Sequence, residues 1–216
     1  MMIIIFPGIG CAIYFFAVIL PEMRNSQAAR DAGQTVKDTL DPHRKLRAYS
    51  DDLEMSDTVE NKLKLADELC RKGQPAEAIP FLIACLDGPF ADNPDILARL
   101  ANAYFDLDAF EDCVGTLEHL IEANPDHQNQ DLHLLYARAL EQNGDTSRAL
   151  EEYIDVSAYF SGPEAKYRHA ELLMALDRPE AARPLYKDIL KGAKFAAPHV
   201  RKRHQEWIDA AERRLA

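Results

Sequence analysis

Seven histidines and four cysteines are the side chains of this chain best suited to ligate a metal or attack a substrate. Their spacing gives neither chemistry a home. His199 and His204 are five residues apart, which puts them on different sides of a helix, and His127 and His133 stand apart at a segment boundary. Cys11, Cys70, Cys85 and Cys113 occur singly, without a C-x-x-C pair, and the last three fall on apolar helix faces, so they read as buried reduced thiols. Acidic residues are too abundant for a catalytic pair to stand out, and no nucleophile elbow, P-loop, H-E-x-x-H or dinucleotide-binding glycine pattern occurs. The sequence therefore predicts recognition rather than catalysis: no enzyme, no metal and no cofactor.

Charge gives recognition a direction. The net charge of -11 excludes a generic nucleic-acid binder, which needs clustered Lys and Arg for phosphate. From Asp87 to Asp131 eleven carboxylates accompany a single cation, Arg99, whereas from Arg183 to the end nine Lys and Arg outnumber four acids. A solvated acidic face is the simpler reading of the first stretch; the sharper one is a seat for a basic protein or peptide.

The elements that carry these charges are set by small residues at regular intervals. Ala66, Ala101, Ala137 and Ala170 step by 35, 36 and 33, and Ala78, Cys113, Ala149 and Ala182 repeat the same steps twelve residues later. Turn residues fall in register at Gly73, Asp108, Gly144 and Asp177, and large residues at Leu82, Leu117, Tyr153 and Tyr186. Each unit then reads as two helices joined by a tight turn, which cannot bury its apolar face alone and must stack on its neighbours. The best copy runs from Leu97 to Pro125, with Leu97, Leu100, Ala101, Tyr104, Leu117 and Pro125 in order.

This pattern resembles the tetratricopeptide repeat (TPR) family, with departures at Lys62, His133 and Lys166, where a larger apolar residue is usual. The resemblance implies an all-α solenoid of about four helical hairpins, spanning 57–195, that holds partner proteins in a groove lined by the first helix of each hairpin. Carried over position by position, that groove is Leu63, Asp67 and Cys70; Ala98, Asn102 and Phe105; Leu134, Arg138 and Glu141; then Tyr167, Glu171 and Met174. Asp106 adjoins it. Family members that capture a terminal carboxylate use Lys and Asn in their first repeats, and only Asn102 matches, so that mode is disfavoured. Apolar anchors near Phe105 and Tyr167, with a partner's positive charge facing Asp67, Asp106 and Glu171, are expected instead.

The flanks complete the expected layout. Residues 1–20 contain no charged side chain and are long enough, at about 1.5 Å per helical residue, to cross a bilayer core, so they read as a single transmembrane anchor. Arg24, Arg30 and Lys37 follow it, which favours a cytoplasmic repeat domain over a periplasmic one. Residues 21–56 read as a polar, partly helical linker. Residues 196–216 read as one capping helix opened by Pro198, with Val200, His204, Trp207, Ile208, Ala211 and Leu215 on one stripe and Trp207 as its packing anchor. The whole reads as a membrane-anchored scaffold, with self-assembly into an oligomer as the alternative.

Overall fold

The computed structural model describes Asp41 and residues 43–216; the expected membrane segment, 1–20, lies outside these, as does most of the expected linker. No helix among the described residues is long and apolar enough to cross a membrane, and none of these residues forms a strand. The chain divides into two compact units, Met1–Asp57 and Thr58–Ala216. In the first, helix α1 (Arg44–Met55) buries no residue, and Arg47 near its start pairs with Asp41.

The second unit is a row of helical hairpins: α2 (Val59–Arg71) with α3 (Pro75–Cys85), α4 (Pro94–Asp106) with α5 (Phe110–Ala123), α6 (Gln130–Gln142) with α7 (Thr146–Tyr159), and α8 (Glu164–Ala175) with α9 (Pro179–Phe195). Local sequence explains where each starts. Thr58 accepts a hydrogen bond from the Asn61 N–H at 3.2 Å, and the Asn93 side chain accepts from the N–H groups of Asp95 and Ile96 at 3.1 Å. Asn129 does the same for Asp131 and Leu132, so these side chains satisfy donors that a helix start leaves free. Pro75 and Pro179 open α3 and α9, where a missing N–H costs nothing, and each helix carries a second, exposed proline at Pro80 and Pro184.

All four hairpins turn in the same way. Gly73, Asp108, Gly144 and Asp177 adopt φ of 72°, 58°, 86° and 57°, the left-handed region. In each, the N–H of the next residue reaches back to a carbonyl five positions earlier: Gln74 to Leu69, Ala109 to Tyr104, Asp145 to Leu140 and Arg178 to Leu173, all at 2.9 Å. These are Schellman caps, which close a helix and redirect the chain within two residues.

The small-residue register fills the seam that those turns create. Ala66, Ala101, Ala137 and Ala170 are buried, as are Ala78, Cys113, Ala149 and Ala182, so paired helices approach closely. Leu82, Leu117, Tyr153 and Tyr186 are buried four residues beyond, each side chain of this size contributing about 1.5–3 kcal/mol by leaving water. Each second helix also packs on the first helix of the next hairpin, and Leu150 packs against both the Ala101–Leu172 cluster of buried residues and the one from Ala170 to Ala211.

The carboxyl end differs from the single capping helix expected at 196–216. Two helices form, α10 (Pro198–Arg203) and α11 (Gln205–Leu215), with a break at His204. At this break the His204 ring is packed against Gly162, whose absent Cβ would lie 3.1 Å from it, in a backbone conformation of φ 135°. Only α11 joins the core, through Ile208 and Ala211 against Ala170, Leu173, Ala182, Tyr186 and Ile189.

Candidate binding groove

Among the first helices, α4 reaches α6 and is bridged to α2 by the Arg99–Asp67 pair, while α8 reaches α11. A depression lies between α2 and α4, a groove of about 350 Å3 bordered by Asp67, Cys70, Asp95, Arg99, Asn102 and Asp106. Apolar Leu82, Ala98 and Ala103 line it together with the charged side chains, and part of that charge is already matched. Arg99 donates to Asp67 at 2.9 Å and to the Asp95 carbonyl at 3.1 Å. Asn102 donates one amide hydrogen to the Ala98 carbonyl at 2.7 Å and remains exposed. Asp106, also exposed, makes no ion pair among the described residues. Cys70 beneath them has its thiol pushed up by burial and by the charges of Asp106 and Asp67, so it stays a neutral wall.

Beyond this groove the expected residues fall into two clusters. Phe105 meets Phe110 edge-on at 5.4 Å, and the Arg138 guanidinium carbon lies 4.5 Å from the centre of the Phe105 ring. Burial and the nearby Arg168 lower the Arg138 pKa, while Glu164, Tyr153 and Glu141 raise it. Glu141 accepts a hydrogen bond from the buried Tyr153 hydroxyl at 2.7 Å. Tyr167 contacts both Tyr186 at 5.9 Å and Trp207 at 5.4 Å between ring centres, and the Arg168 guanidinium carbon lies 5.3 Å from the centre of the Trp207 ring. Glu171 accepts from the Tyr186 hydroxyl at 2.5 Å and from Arg214 Nε at 2.8 Å. Burial pushes the Glu171 carboxyl up, but the hydrogen bonds from Arg214, Tyr186 and Tyr167 outweigh it and hold the group below its usual value.

Three carboxylates were expected to face a partner's positive charge, and the structure separates them. Asp67 is matched by Arg99 and Glu171 by Arg214; of the three, Asp106 alone keeps its charge for an incoming group. Phe105 and Tyr167 are half-buried under Arg138 and against Trp207, which makes them supports of the surface rather than open anchors. Leu63 is half-buried one turn before Asp67, Met174 is exposed near the end of α8, and Leu134 belongs to the core. Sequence reasoning missed Arg99, Tyr153 and Arg214 as residues that shape this face. The isolation of Arg99 within eleven acids was the one available signal.

A second depression lies on the side formed by the second helices, a cleft of about 710 Å3 between α5 and α7 that also meets the start of α6. His133 bridges its wall, with one ring nitrogen 2.6 Å from the Tyr159 hydroxyl and the other 2.7 Å from Glu152. Glu118 pairs with Arg148, which also contacts the Tyr136 hydroxyl; burial and then Glu118 push that phenol up to about 12.

Comparison with known proteins agrees with this architecture. The tetratricopeptide repeat family model matches residues 69–130. A crystal structure of MamA superposes with a TM-score of 0.61 at 22% identity, covering 69% of this chain and 90% of that one. MamA 41-end from Desulfovibrio magneticus RS-1 gives 0.63 at 13% identity, over 75% and 91%. TTC0263, a thermophilic TPR protein in Thermus thermophilus, gives 0.54 at 19% identity, over 76% and 88%. No curated protein matches the chain by sequence. The fold is thus an all-helical, TPR-like solenoid.

Proposed function

We propose that this protein is a membrane-anchored scaffold whose repeat unit holds a basic segment of a partner protein on the first-helix face, at the cytoplasmic side of the membrane. The observation that carries the reading is the exposed pair Asn102 and Asp106, one helical turn apart on α4 at the edge of the α2–α4 groove. Asn102 offers its amide oxygen and its remaining amide hydrogen to a partner's backbone, and Asp106 offers an unmatched charge to a Lys or Arg. The neighbouring Asp67 is already held by Arg99, so this part of the edge is fixed before a partner arrives, which lowers the ordering cost of binding. Repeat stacking supports the same role, since it yields an extended rigid face rather than a closed active-site cavity. Anchoring rests on the uncharged run 1–20, and orientation on the cations that follow it.

A photo-crosslinking residue placed at Asn102 in living cells tests the binding reading. Crosslinks to a defined protein that disappear in an Asp106→Lys background support it; crosslinks indifferent to that change contradict it. Protease treatment of spheroplasts tests the side: a repeat unit that survives until the membrane is opened is cytoplasmic.

A further inference from the structure

Two surface features of the Thr58–Ala216 unit are complementary in shape and charge. The first is a knob. Helix α9 has 17 residues, and its last residue, Phe195, is 85% exposed. Arg183, Lys187, Lys191 and Lys194 recur along α9 at steps of four, four and three, which aligns them in one exposed stripe leading to that ring. None of the four makes an ion pair among the described residues, whereas Lys166 on α8 is matched by Asp188.

The second feature is the cleft between α5 and α7. Its walls are apolar and aromatic, including Leu132, Tyr136 and the exposed Ile121 and Tyr159, which are 50% and 56% open to solvent. Four carboxylates rim it and, among the described residues, no Lys or Arg lines it. Arg148 matches Glu118 and His133 engages Glu152, but Glu122 and Asp155 have no cationic partner among the described residues. The cleft, at about 710 Å3, has room for a phenyl ring with its flanking lysine stems.

We propose that the α5–α7 cleft of one copy receives Phe195 of a second copy, with Lys191 and Lys194 meeting Glu122 and Asp155. Knob and cleft are different patches of each copy, so a single contact leaves one knob and one cleft open for further copies, whereas a reciprocal two-fold contact fills both. A second copy fits better than an anionic bilayer. The cleft offers the exposed ring an apolar wall and offers the lysines two unmatched carboxylates, Glu122 and Asp155, at fixed positions, a complementarity that a uniform anionic surface lacks. The contact is independent of the α2–α4 groove and of what that groove binds.

Sedimentation velocity of the full-length chain in neutral detergent tests it. The wild type should associate with rising concentration and dissociate between about 0.1 and about 1 M salt, over which the screening length falls from about 10 to about 3 Å. Phe195→Ala, Lys191→Glu with Lys194→Glu, and Glu122→Lys with Asp155→Lys should each weaken association at least about tenfold. All these positions are exposed surface, so folding is retained. Mixing the two charge-reversed proteins should restore association. Asp106→Lys should leave it unchanged, which separates this contact from partner binding in the groove. A wild type that stays monomeric, variants that associate normally, or a mixture that stays apart would overturn the proposal. So would Phe195→Ala losing binding to phosphatidylserine vesicles while self-association stays intact.

Discussion

Arg138 holds its guanidinium 4.5 Å above the ring of Phe105, joining the first helix of the second hairpin to that of the third. Both side chains are half-buried, so the pair combines cation–π attraction with packing of the arginine stem. Arg138→Ala should lower stability by about 1–2 kcal/mol, and Arg138→Lys should recover part of it, since an ammonium stacks less well. For a unit of this length that is a fall in Tm of about 2–4 °C per kcal/mol, readable by circular dichroism. An Arg138→Ala protein as stable as the wild type would remove the pair from the account.

The small-residue register makes a sharper demand. Ala149 is completely buried against the partner helix, whereas Ala84 on α3 is exposed. Ala149→Leu should cost about 1–3 kcal/mol by overpacking, and Ala84→Leu should change stability by no more than about 0.5 kcal/mol. Denaturant unfolding of the two variants side by side decides it.

Gly144 isolates the contribution of the turn. A Cβ there would touch nothing within 4 Å, so Gly144→Ala probes only the left-handed backbone, at φ 86°. The expected loss is about 1–2 kcal/mol. Asp177→Gly, at φ 57°, should not destabilise, because the glycine relieves what the aspartate tolerates. A harmless Gly144→Ala would contradict the capped-turn explanation of the hairpins.

Acid should weaken the unit in two separate windows. His169 is buried, with its Nδ1 3.3 Å from Ser157 Oγ, and burial lowers its pKa. The unfolded chain therefore takes up that proton first, and stability present above about pH 6.5 is lost as pH falls from there toward the folded value. Glu171, held low by Arg214 and the tyrosines, acts further down: its contribution is present above about pH 4.3 and is lost as pH falls through its folded value. His169→Gln should flatten the upper window and Glu171→Gln the lower, measured as urea midpoints across pH. Loss of both windows in either variant would show that the assignments are wrong.

What was legible in the chain was what repeats. Ala66 to Ala170 and Ala78 to Ala182 announce the hairpins because each position must be small for helices to touch, and local spacing records that need. The four turns are legible for the same reason. The charge pairing was not: Asp67 meets Arg99 across 32 positions and Glu171 meets Arg214 across 43, contacts that exist only once the stack is assembled. The helix break at His204 was equally hidden. Val200, His204, Trp207 and Ala211 keep an unbroken helical period in the sequence, and the break falls where His204 packs on Gly162, a contact made 42 positions away.

The most direct measurement is the affinity of the protein crosslinked through Asn102 for two charge-reversed variants of the full chain. Asp106 and Asp126 are both exposed, but only Asp106 borders the α2–α4 groove. Asp106→Lys should weaken binding at least about tenfold, and Asp126→Lys should leave it within about twofold. Equal losses from both variants, or no loss from Asp106→Lys, would contradict a specific seat for a basic partner and leave the acidic repeat as a solvated surface.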